Sequence, residues 1–137
     1  MKLSRASIYG LHSALQLAQD RQRTPIPCRQ LAEEGKMPER FLLQVLRMLV
    51  NANILASTRG VVGGYRLARS AEEISLLDIV EATDGRLQPD DLDMPSLPGN
   101  VESRVMQSLK SAVACQRDHL ADVTLAELLS TPGALGG

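Results

Sequence analysis

Apolar residues recur at three- and four-residue intervals in several separate stretches of the chain, a pattern typical of amphipathic helices. The first stretch covers roughly residues 4–20 and begins at Ser4, a residue type suited to cap a helix. Its recurring apolar positions are Ile8, Leu11, Leu15 and Ala18. We therefore predict a first helix that buries this stripe against the rest of the protein.

Two further helical stretches follow at close spacing. "PCRQLAEEG" predicts a second helix, with Pro27 suited to its first turn and Gly35 to its end. After the short turn "GKM", "PERFLLQVLRMLVNA" predicts a third helix that begins at Pro38. Its apolar stripe comprises Leu42, Val45, Leu46 and Leu49. Two helices joined by so short a turn are the outline of a helix-turn-helix.

The segments "ILAST" and "YRLA" flank the glycine-rich "RGVVGG", which predicts a β-hairpin. A hairpin directly after a helix-turn-helix is a wing. Glycine allows its tip to adopt positive φ and to lie close to another backbone, so Gly63 and Gly64 are candidates for contact with DNA. Arg59 and Arg66 would then stand where a phosphate backbone passes.

The second half of the chain predicts another helix and then a loop. In "SLLDIVEATDG", Ser75 and Asp78 have capping-box spacing, and Gly85 is suited to end the helix. Residues 86–100 hold three prolines and three aspartates, a composition typical of a loop.

The longest helix is predicted over residues 101–123. Its apolar stripe comprises Val101, Val105, Leu109, Ala112, Val113 and Leu120. This stripe is too long for a lone surface helix of a small domain, so the helix is the expected dimerisation element. A last helix begins at Thr124, with Glu127 in capping-box spacing, and residues 131–137 are predicted to be a flexible tail.

Composition narrows the class of protein. The chain has 137 residues and is 44% hydrophobic but only 2% aromatic, so we expect a core of aliphatic side chains. No apolar run has the length of a membrane span, and the first residues lack a signal-peptide pattern. No catalytic or metal-ligand cluster stands out, so neither an enzyme nor a cofactor is expected. Cys28 and Cys115 form no CxxC motif, and a reducing cytoplasm is the expected location.

The net charge of −1 hides an uneven distribution. Residues 1–69 carry eleven Lys/Arg and four Asp/Glu, a net charge of +7, whereas residues 70–137 carry four and twelve, a net charge of −8. A basic half joined to an acidic half indicates that the first half meets a polyanion. Double-stranded DNA is the polyanion that a helix-turn-helix would bind.

The third helix carries a second face opposite its apolar stripe, made of Arg40, Leu43, Gln44 and Arg47. Gln44 can read an adenine edge, an arginine can read guanine, and Leu43 can contact a thymine methyl group. An exposed leucine between arginines is unusual on a purely solvated surface. We therefore interpret this face as the base-reading surface.

Five segments together resemble the Rrf-two (IscR-like) family of bacterial winged-helix transcription regulators. They are "MKLSRASIYGLHSALQLA", "FLLQVLRML", "RGVVGGYRLA", "EISLLDIVEATDG" and "VTLAEL", in the family's order and spacing over about residues 1–130. The wing segment is the most specific of the five. The resemblance implies a homodimer in which the long helices of two subunits pair, so that the winged domains face successive major grooves of a palindromic operator.

The resemblance also implies further contacts with DNA. The start of the first helix, with Lys2, Ser4 and Arg5, would approach the phosphates, which suits a helix N-terminus. Arg59 would enter or border the minor groove. Phe41 corresponds to a family aromatic near the DNA, although core packing explains an aromatic there equally well.

The chain departs from the cluster-binding members of the family. Those members carry three cysteines in the loop before the dimer helix, where residues 86–100 of this chain hold neither Cys nor His. They also carry a glutamate where this chain has Leu43, so a different sequence preference is expected. Val61 and Val62 make the wing tip more apolar than is usual in the family. We therefore expect a regulator without an iron–sulfur cluster.

The expected architecture is mainly α with a small β-hairpin: a winged helix-turn-helix domain at 1–85, the loop at 86–100, and the dimerisation and C-terminal helices at 101–130. The leading hypothesis is a cytoplasmic, nucleoid-associated bacterial DNA-binding regulator that acts as a homodimer. Two alternatives stay open. One is a winged-helix module controlled by a partner protein or small effector, and the other is a regulator that responds to redox conditions through Cys28 or Cys115.

Overall fold

The computed structural model describes residues 1–130, and the predicted flexible tail at 131–137 lies outside the described residues. Its elements in chain order are α1 (Arg5–Ala18), α2 (Cys28–Gly35), α3 (Glu39–Asn51), β1 (Leu55–Thr58), β2 (Gly64–Leu67), α4 (Leu76–Asp84), α5 (Gly99–Asp122) and α6 (Leu125–Leu129). The predicted mainly α fold with one hairpin is confirmed, and the long helix begins two residues earlier than its sequence pattern indicates.

Local capping signals set several of these boundaries. The Ser4 side chain accepts a hydrogen bond from the Ser7 backbone N–H at 3.1 Å, so Ser4 caps α1 as predicted. Ser75 and Asp78 complete a reciprocal capping box at the start of α4. Thr124 caps α6 in the same way that Ser4 caps α1. Each of these helix starts follows from neighbouring residues alone.

Helix α2 ends at Gly35, as predicted. The residue in the left-handed conformation is the next one, Lys36, with φ 54°. A Cβ at Gly35 would lie 2.5 Å from the Met37 Cε and 3.0 Å from the His12 Cε1, so a larger residue there would require these side chains to move.

The buried face of α1 also differs from the predicted stripe. Ile8 is 52% exposed, and Leu11, Leu15 and Ala18 are only half-buried. The buried residues are Ser7, Gly10, Ser13, Ala14 and Leu17. A Cβ at Gly10 would lie 3.3 Å from the Thr83 Cγ2, so small side chains let α1 pack closely against α4. Helical spacing predicted the helix correctly, but the largest apolar residues do not mark its buried face.

One hydrophobic core contains residues from the N-terminal helices and from α6. The α3 stripe is confirmed, since Leu42, Val45, Leu46 and Leu49 are fully buried. Leu125 of α6 is fully buried in the same core, and its backbone N–H donates to the Ile74 carbonyl oxygen at 3.0 Å. The chain therefore leaves the core along α5 and returns to it at α6.

The hairpin is held from the side as well as through its own ladder. β1 and β2 are antiparallel, with Leu55 opposite Leu67. Ile26, from the segment before α2, exchanges two backbone hydrogen bonds with Tyr65, at 2.9 and 2.8 Å. Gly64 has φ 152°, and a Cβ there would lie 2.4 Å from the Ile26 carbonyl carbon. Glycine is thus required for the predicted close approach of two backbones, and the second backbone is that of Ile26.

Helix α5 differs from every other long helix in that none of its residues is buried. Val101 and Leu109 are each 37% exposed and Ala112 is exposed. The other stripe residues, Val105, Val113 and Leu120, are half-buried. The predicted apolar stripe therefore divides into a part that is shielded by its own chain and a part that faces outward.

A polar contact fastens α5 to α4. The Arg117 guanidinium donates two hydrogen bonds to the Glu81 carboxylate, at 2.9 and 3.0 Å. These bonds lower the pKa of Glu81 despite its partial burial, and they raise the pKa of Arg117. Glu81 also accepts from the Leu87 backbone N–H at 2.8 Å, so this carboxylate ties α4 to both α5 and the start of the loop.

Candidate nucleic-acid interface

The exposed side of α3 carries the residues predicted to read bases. Arg40, Gln44 and Arg47 are exposed and Leu43 is half-exposed, on the side opposite the buried stripe. The ion pairs found within residues 1–130 involve the cations Arg29, Arg69 and Arg117. The two arginines of the α3 face are therefore not neutralised by any carboxylate of the described chain, which favours an external anion.

The wing lies beside the end of α3. Tyr65 on β2 is half-buried, and burial raises its pKa, whereas the nearby Arg47 guanidinium acts in the opposite direction. Helix α3 packs directly against β1, so the proposed reading helix and the wing are neighbours in the fold.

The wing tip is fully open to solvent. Val61 and Val62 are 104% and 84% exposed, and Gly60 has φ 112° with nothing within 4 Å of a Cβ built on it. Arg59 is exposed at the base of the tip. Arg66 is half-buried, and its Nη1 donates to the Leu67 carbonyl oxygen at 3.3 Å. Of the two wing arginines, Arg59 is the more accessible to a phosphate.

Close backbone packing explains the glycine at position 63, as it does at position 64. A Cβ at Gly63 would lie 2.2 Å from the Thr58 carbonyl oxygen. The Gly63 backbone N–H also donates to the Gly60 carbonyl oxygen at 3.0 Å. Both glycines are thus needed for the shape of the wing, and a contact of either with DNA stays a prediction.

Phe41 packs inside the protein. Its ring meets that of Tyr9 edge-to-face, with centroids 5.5 Å apart and an interplanar angle of 73°, and both rings lie against the core. This contact joins α3 to α1 and accounts for an aromatic at this position. A contact of Phe41 with DNA stays a prediction.

The start of α1 holds a carboxylate that the sequence did not indicate. The Ser4 backbone N–H donates to the Asp84 Oδ2 at 3.3 Å, and the Ser4 hydroxyl donates to the Asp84 Oδ1. Burial acts to raise the pKa of Asp84, but hydrogen bonds from Ser4 and Ser7 outweigh it and hold the pKa below its ordinary value. Ser4 is therefore engaged within the protein, whereas Lys2 and Arg5 are exposed.

A signal for Asp84 does exist in the sequence. The residue is the last of α4 and directly precedes Gly85, where a negative charge is unfavourable beside the negative end of the helix dipole. An aspartate at such a position indicates a partner elsewhere. The partner is the positive end of α1, but a separation of 80 residues hides it from any local pattern.

The thiols of the chain lie in different surroundings. Cys28 is half-buried at the start of α2, and burial together with Glu39 raises the pKa of its thiol. A raised pKa disfavours the thiolate, which is the reactive form. Cys115 is exposed on α5. The environment of Cys28 therefore does not favour a reactive thiol.

Residues 1–130 do not fit an iron–sulfur cluster. They contain no group of three or more His, Cys, Asp or Glu side chains arranged to hold a metal ion. Soft thiolates hold such clusters, and the loop before α5 contains none.

In addition, no helix within the described range is both long and apolar enough to cross a membrane.

Helices α2 and α3 form a helix-turn-helix, and β1 and β2 form a wing directly after it. Arg40 and Arg47 on α3 and Arg59 at the wing form no ion pair within residues 1–130. These features define the class of winged-helix DNA-binding proteins. The family model described as "Rrf2: Iron-dependent Transcriptional regulator" matches residues 3–131. The chain therefore belongs to the Rrf2 family of transcriptional regulators.

Individual relatives agree with this assignment. The chain is 28% identical over 139 residues to the HTH-type transcriptional regulator IscR of Vibrio vulnificus, a match that covers 95% of this chain and 78% of that protein. The structure of CymR, the global cysteine regulator of B. subtilis, superposes with a TM-score of 0.78 at 26% identity, over 95% of this chain and 97% of the other. The structure of oxidised CymR of Staphylococcus aureus superposes with a TM-score of 0.73 at 32% identity, over 95% of this chain and 97% of the other.

Proposed function

We propose that this protein is a homodimeric, sequence-specific DNA-binding regulator that recognises a palindromic operator without an iron–sulfur cluster. The observation that supports it most directly is the exposed face of α3, where Arg40 and Arg47 flank Gln44 and form no ion pair within residues 1–130. Regulation of transcription is the activity of the family to which the chain belongs.

The proposed contacts with DNA divide into two kinds. Gln44 and Leu43 lie in the middle of α3 and read base edges in the major groove, with Arg40 and Arg47 on either side. Backbone contacts come from the cations around them, which fix the register of the protein on the duplex. These cations are Lys2, Arg5, Arg59 and Arg66. The wing glycines allow the tip to approach the DNA closely.

The proposed dimer uses the outward part of the α5 stripe. Val101, Leu109 and Ala112 are exposed on a helix of 24 residues that has no buried residue. A second copy of the same helix, related by a two-fold axis, would cover them. The same axis would place two reading helices on successive turns of the major groove, which is why the operator is expected to be palindromic.

The test is to select binding sites from random duplex DNA with the full chain and then to measure affinity for the selected site at several salt concentrations. We expect a palindromic site and a linear fall of log affinity with log salt concentration, because bound cations release condensed counterions. Treatment with a metal chelator should leave the affinity unchanged. Selection of no sequence at all would contradict sequence-specific binding.

Two substitutions separate the proposed contacts. Gln44→Ala should relax preference at one base pair of each half-site, by about 1–3 kcal/mol. Arg59→Ala should weaken binding to every sequence and reduce the salt slope by about one contact's share. Arg86→Ala, which removes an exposed arginine from the loop after α4, is the matched control and should change neither. An Arg59→Ala protein with unchanged affinity and slope would remove Arg59 from the interface.

A further inference from the structure

A groove of about 780 Å³ opens where α1 ends. Its apolar lining consists of Ala18, Leu67, Ala71, Ala126 and Leu129. The walls come from α1 and the turn after it, from β2 and its connection to α4, and from α6. The apolar part of the lining, here called the floor, is accompanied by polar groups from Gln19, Ser70, Thr124 and Ser130, and the volume lies in the range of sites that bind small molecules.

Charges of both signs line this groove. Arg21 and Arg23 belong to the turn after α1, whereas Glu72 belongs to the β2–α4 connection and Glu127 to α6. The ion pairs within residues 1–130 use other residues, so these four charges do not neutralise one another by direct contact. Two cations on one wall and two carboxylates on the others thus surround an apolar floor.

This arrangement selects a ligand by its charges. The carboxylates disfavour a simple anion, and the guanidiniums disfavour a simple cation. A molecule that carries both a carboxylate and an ammonium group satisfies both walls, and a guanidinium is well suited to hold a carboxylate through paired hydrogen bonds. Apolar side chains on such a molecule would cover the floor.

We propose that this groove binds a small zwitterion of the amino-acid or short-peptide type, and that this ligand tunes the affinity of the protein for DNA. The carboxylate of the ligand lies against Arg21 and Arg23 from the turn after α1. Its ammonium group lies against Glu72 and Glu127.

The position of the groove explains how a bound ligand would affect the wing. The Ala126 backbone N–H donates to the Ala71 carbonyl oxygen at 3.1 Å, and the Leu76 N–H donates to the Val123 carbonyl oxygen at 2.9 Å. These bonds join the end of α5 and the start of α6 to the connection that follows the wing. A ligand held between the turn after α1 and α6 stabilises one arrangement of the α5–α6 junction. Because this junction is bonded to the β2–α4 connection, the ligand also favours one placement of the wing relative to α5.

Binding is tested first without DNA, by calorimetric titration of the full chain with the dipeptide alanyl-leucine. For a ligand of this size we expect a dissociation constant on the order of 1 mM or tighter. The N-acetylated dipeptide lacks the ammonium group and the dipeptide amide lacks the carboxylate, and each should bind about tenfold more weakly. Equal binding of all three compounds, or binding of none, would overturn the proposal.

Substitutions then assign each wall to one end of the ligand. In Arg21→Gln, only Arg23 is left to hold the carboxylate, so the preference for the dipeptide over its amide should fall while its preference over the N-acetylated form persists. Glu127→Gln should show the reverse pattern. Arg86→Gln removes a charge from an exposed residue outside the groove, and it should preserve both preferences. Preferences unchanged in Arg21→Gln and Glu127→Gln would show that the groove is not the binding site.

The effect on DNA is measured separately, because it alone rests on the proposed function. Saturating dipeptide should change the affinity for bulk duplex DNA, and DNA should change the affinity for dipeptide by the same factor. This effect should be absent in the double variant Arg21→Gln, Glu127→Gln. Dipeptide binding without any change in DNA affinity would contradict the regulatory role, whereas a failure to bind DNA at all would count against the proposed function.

Discussion

The winged domain and helix α5 hide their apolar residues to very different extents. Each of α1, α2, α3 and α4 contains buried residues, and the α3 stripe is fully buried. Helix α5 is the longest element at 24 residues and buries none. The winged part shares one core with α6, whereas nothing within residues 1–130 covers the outward side of α5. A helix can therefore be well formed and still be incomplete as a packing unit.

The two regions also differ in charge. The first 69 residues have a net charge of +7, and the remaining residues have a net charge of −8. On our proposal, the basic region faces DNA and the acidic region stays away from it, which would help to orient the protein during encounter. Packing and charge divide the molecule at different places, because α4 and α6 belong to the acidic half of the chain and still contribute buried residues to the core.

The largest effect is expected from a charge placed on the outward side of α5. Leu109→Asp would bury an unpaired carboxylate in the proposed dimer interface, so the protein should become monomeric. Its affinity for a palindromic site should fall at least about 100-fold because the second half-site no longer binds as part of the same molecule. Size-exclusion chromatography with light scattering and a DNA titration measure the two effects.

The matched control is Ser111→Asp, which adds the same charge two residues later. At about 100° per residue this position lies on the opposite side of the helix, and it is exposed. The control should remain dimeric with unchanged affinity. A dimeric Leu109→Asp protein that binds DNA normally would refute the proposed interface.

An intermediate effect tests whether α6 belongs to the winged core. Leu125 is fully buried, so Leu125→Ala should lower the free energy of unfolding by about 2–5 kcal/mol. Leu128, three residues later, is half-buried, and Leu128→Ala should cost about 1 kcal/mol. Urea unfolding at one fixed protein concentration measures both. Equal costs for the two variants would place α6 outside the core.

This expectation affects how the dimer helix should be tested. A chain that ends at Gly99 would lose Leu125 as well as α5, so its failure to bind DNA would report on the core and on the dimer together. The substitution at Leu109 leaves the core intact and is therefore the more informative experiment.

The smallest effect concerns the polar contact between the two regions. Because Arg117 lowers the pKa of Glu81 in the folded protein, the ionised carboxylate contributes stability above the unfolded-state pKa of about 4.3. That contribution is lost as the pH falls through the lower folded-state pKa. Glu81→Gln should cost about 1 kcal/mol at neutral pH, and the difference from wild type should vanish in acid.

The pH dependence of unfolding, measured by urea titration, checks this expectation. Asp91→Asn removes an exposed carboxylate from the loop and should show no such dependence. If Glu81→Gln is as stable as wild type at neutral pH, the contact with Arg117 does not stabilise the junction.

Features set by neighbouring residues could be predicted from the sequence. The caps at Ser4, Ser75 and Thr124 and the hairpin all appear where local patterns place them. The buried face of α1 could not be predicted, because apart from Leu17 it consists of small residues such as Gly10 and Ala14. The return of α6 to the core could not be predicted either, since no local pattern specifies a partner so distant in the chain.

The same distinction applies to the candidate site. Spacing along α3 predicted which side is exposed, and Arg40, Gln44 and Arg47 lie there. The contact between Ser4 and Asp84 joins residues that are 80 positions apart, and only the packing of α1 against α4 brings them together. The contacts with DNA themselves stay predictions that the substitutions above would test.

The pairing of Ile26 with Tyr65 has a consequence for how the protein fluctuates. These hydrogen bonds close a loop of chain that contains α2, α3 and β1, so the proposed reading helix lies inside a ring whose ends are fastened to each other. Opening the wing frees one end of that ring. The backbone amides of the wing and of the helix-turn-helix should therefore exchange their hydrogens through one cooperative opening. The spacing between the wing and the proposed reading helix is then a property of a closed loop and not of two independent parts.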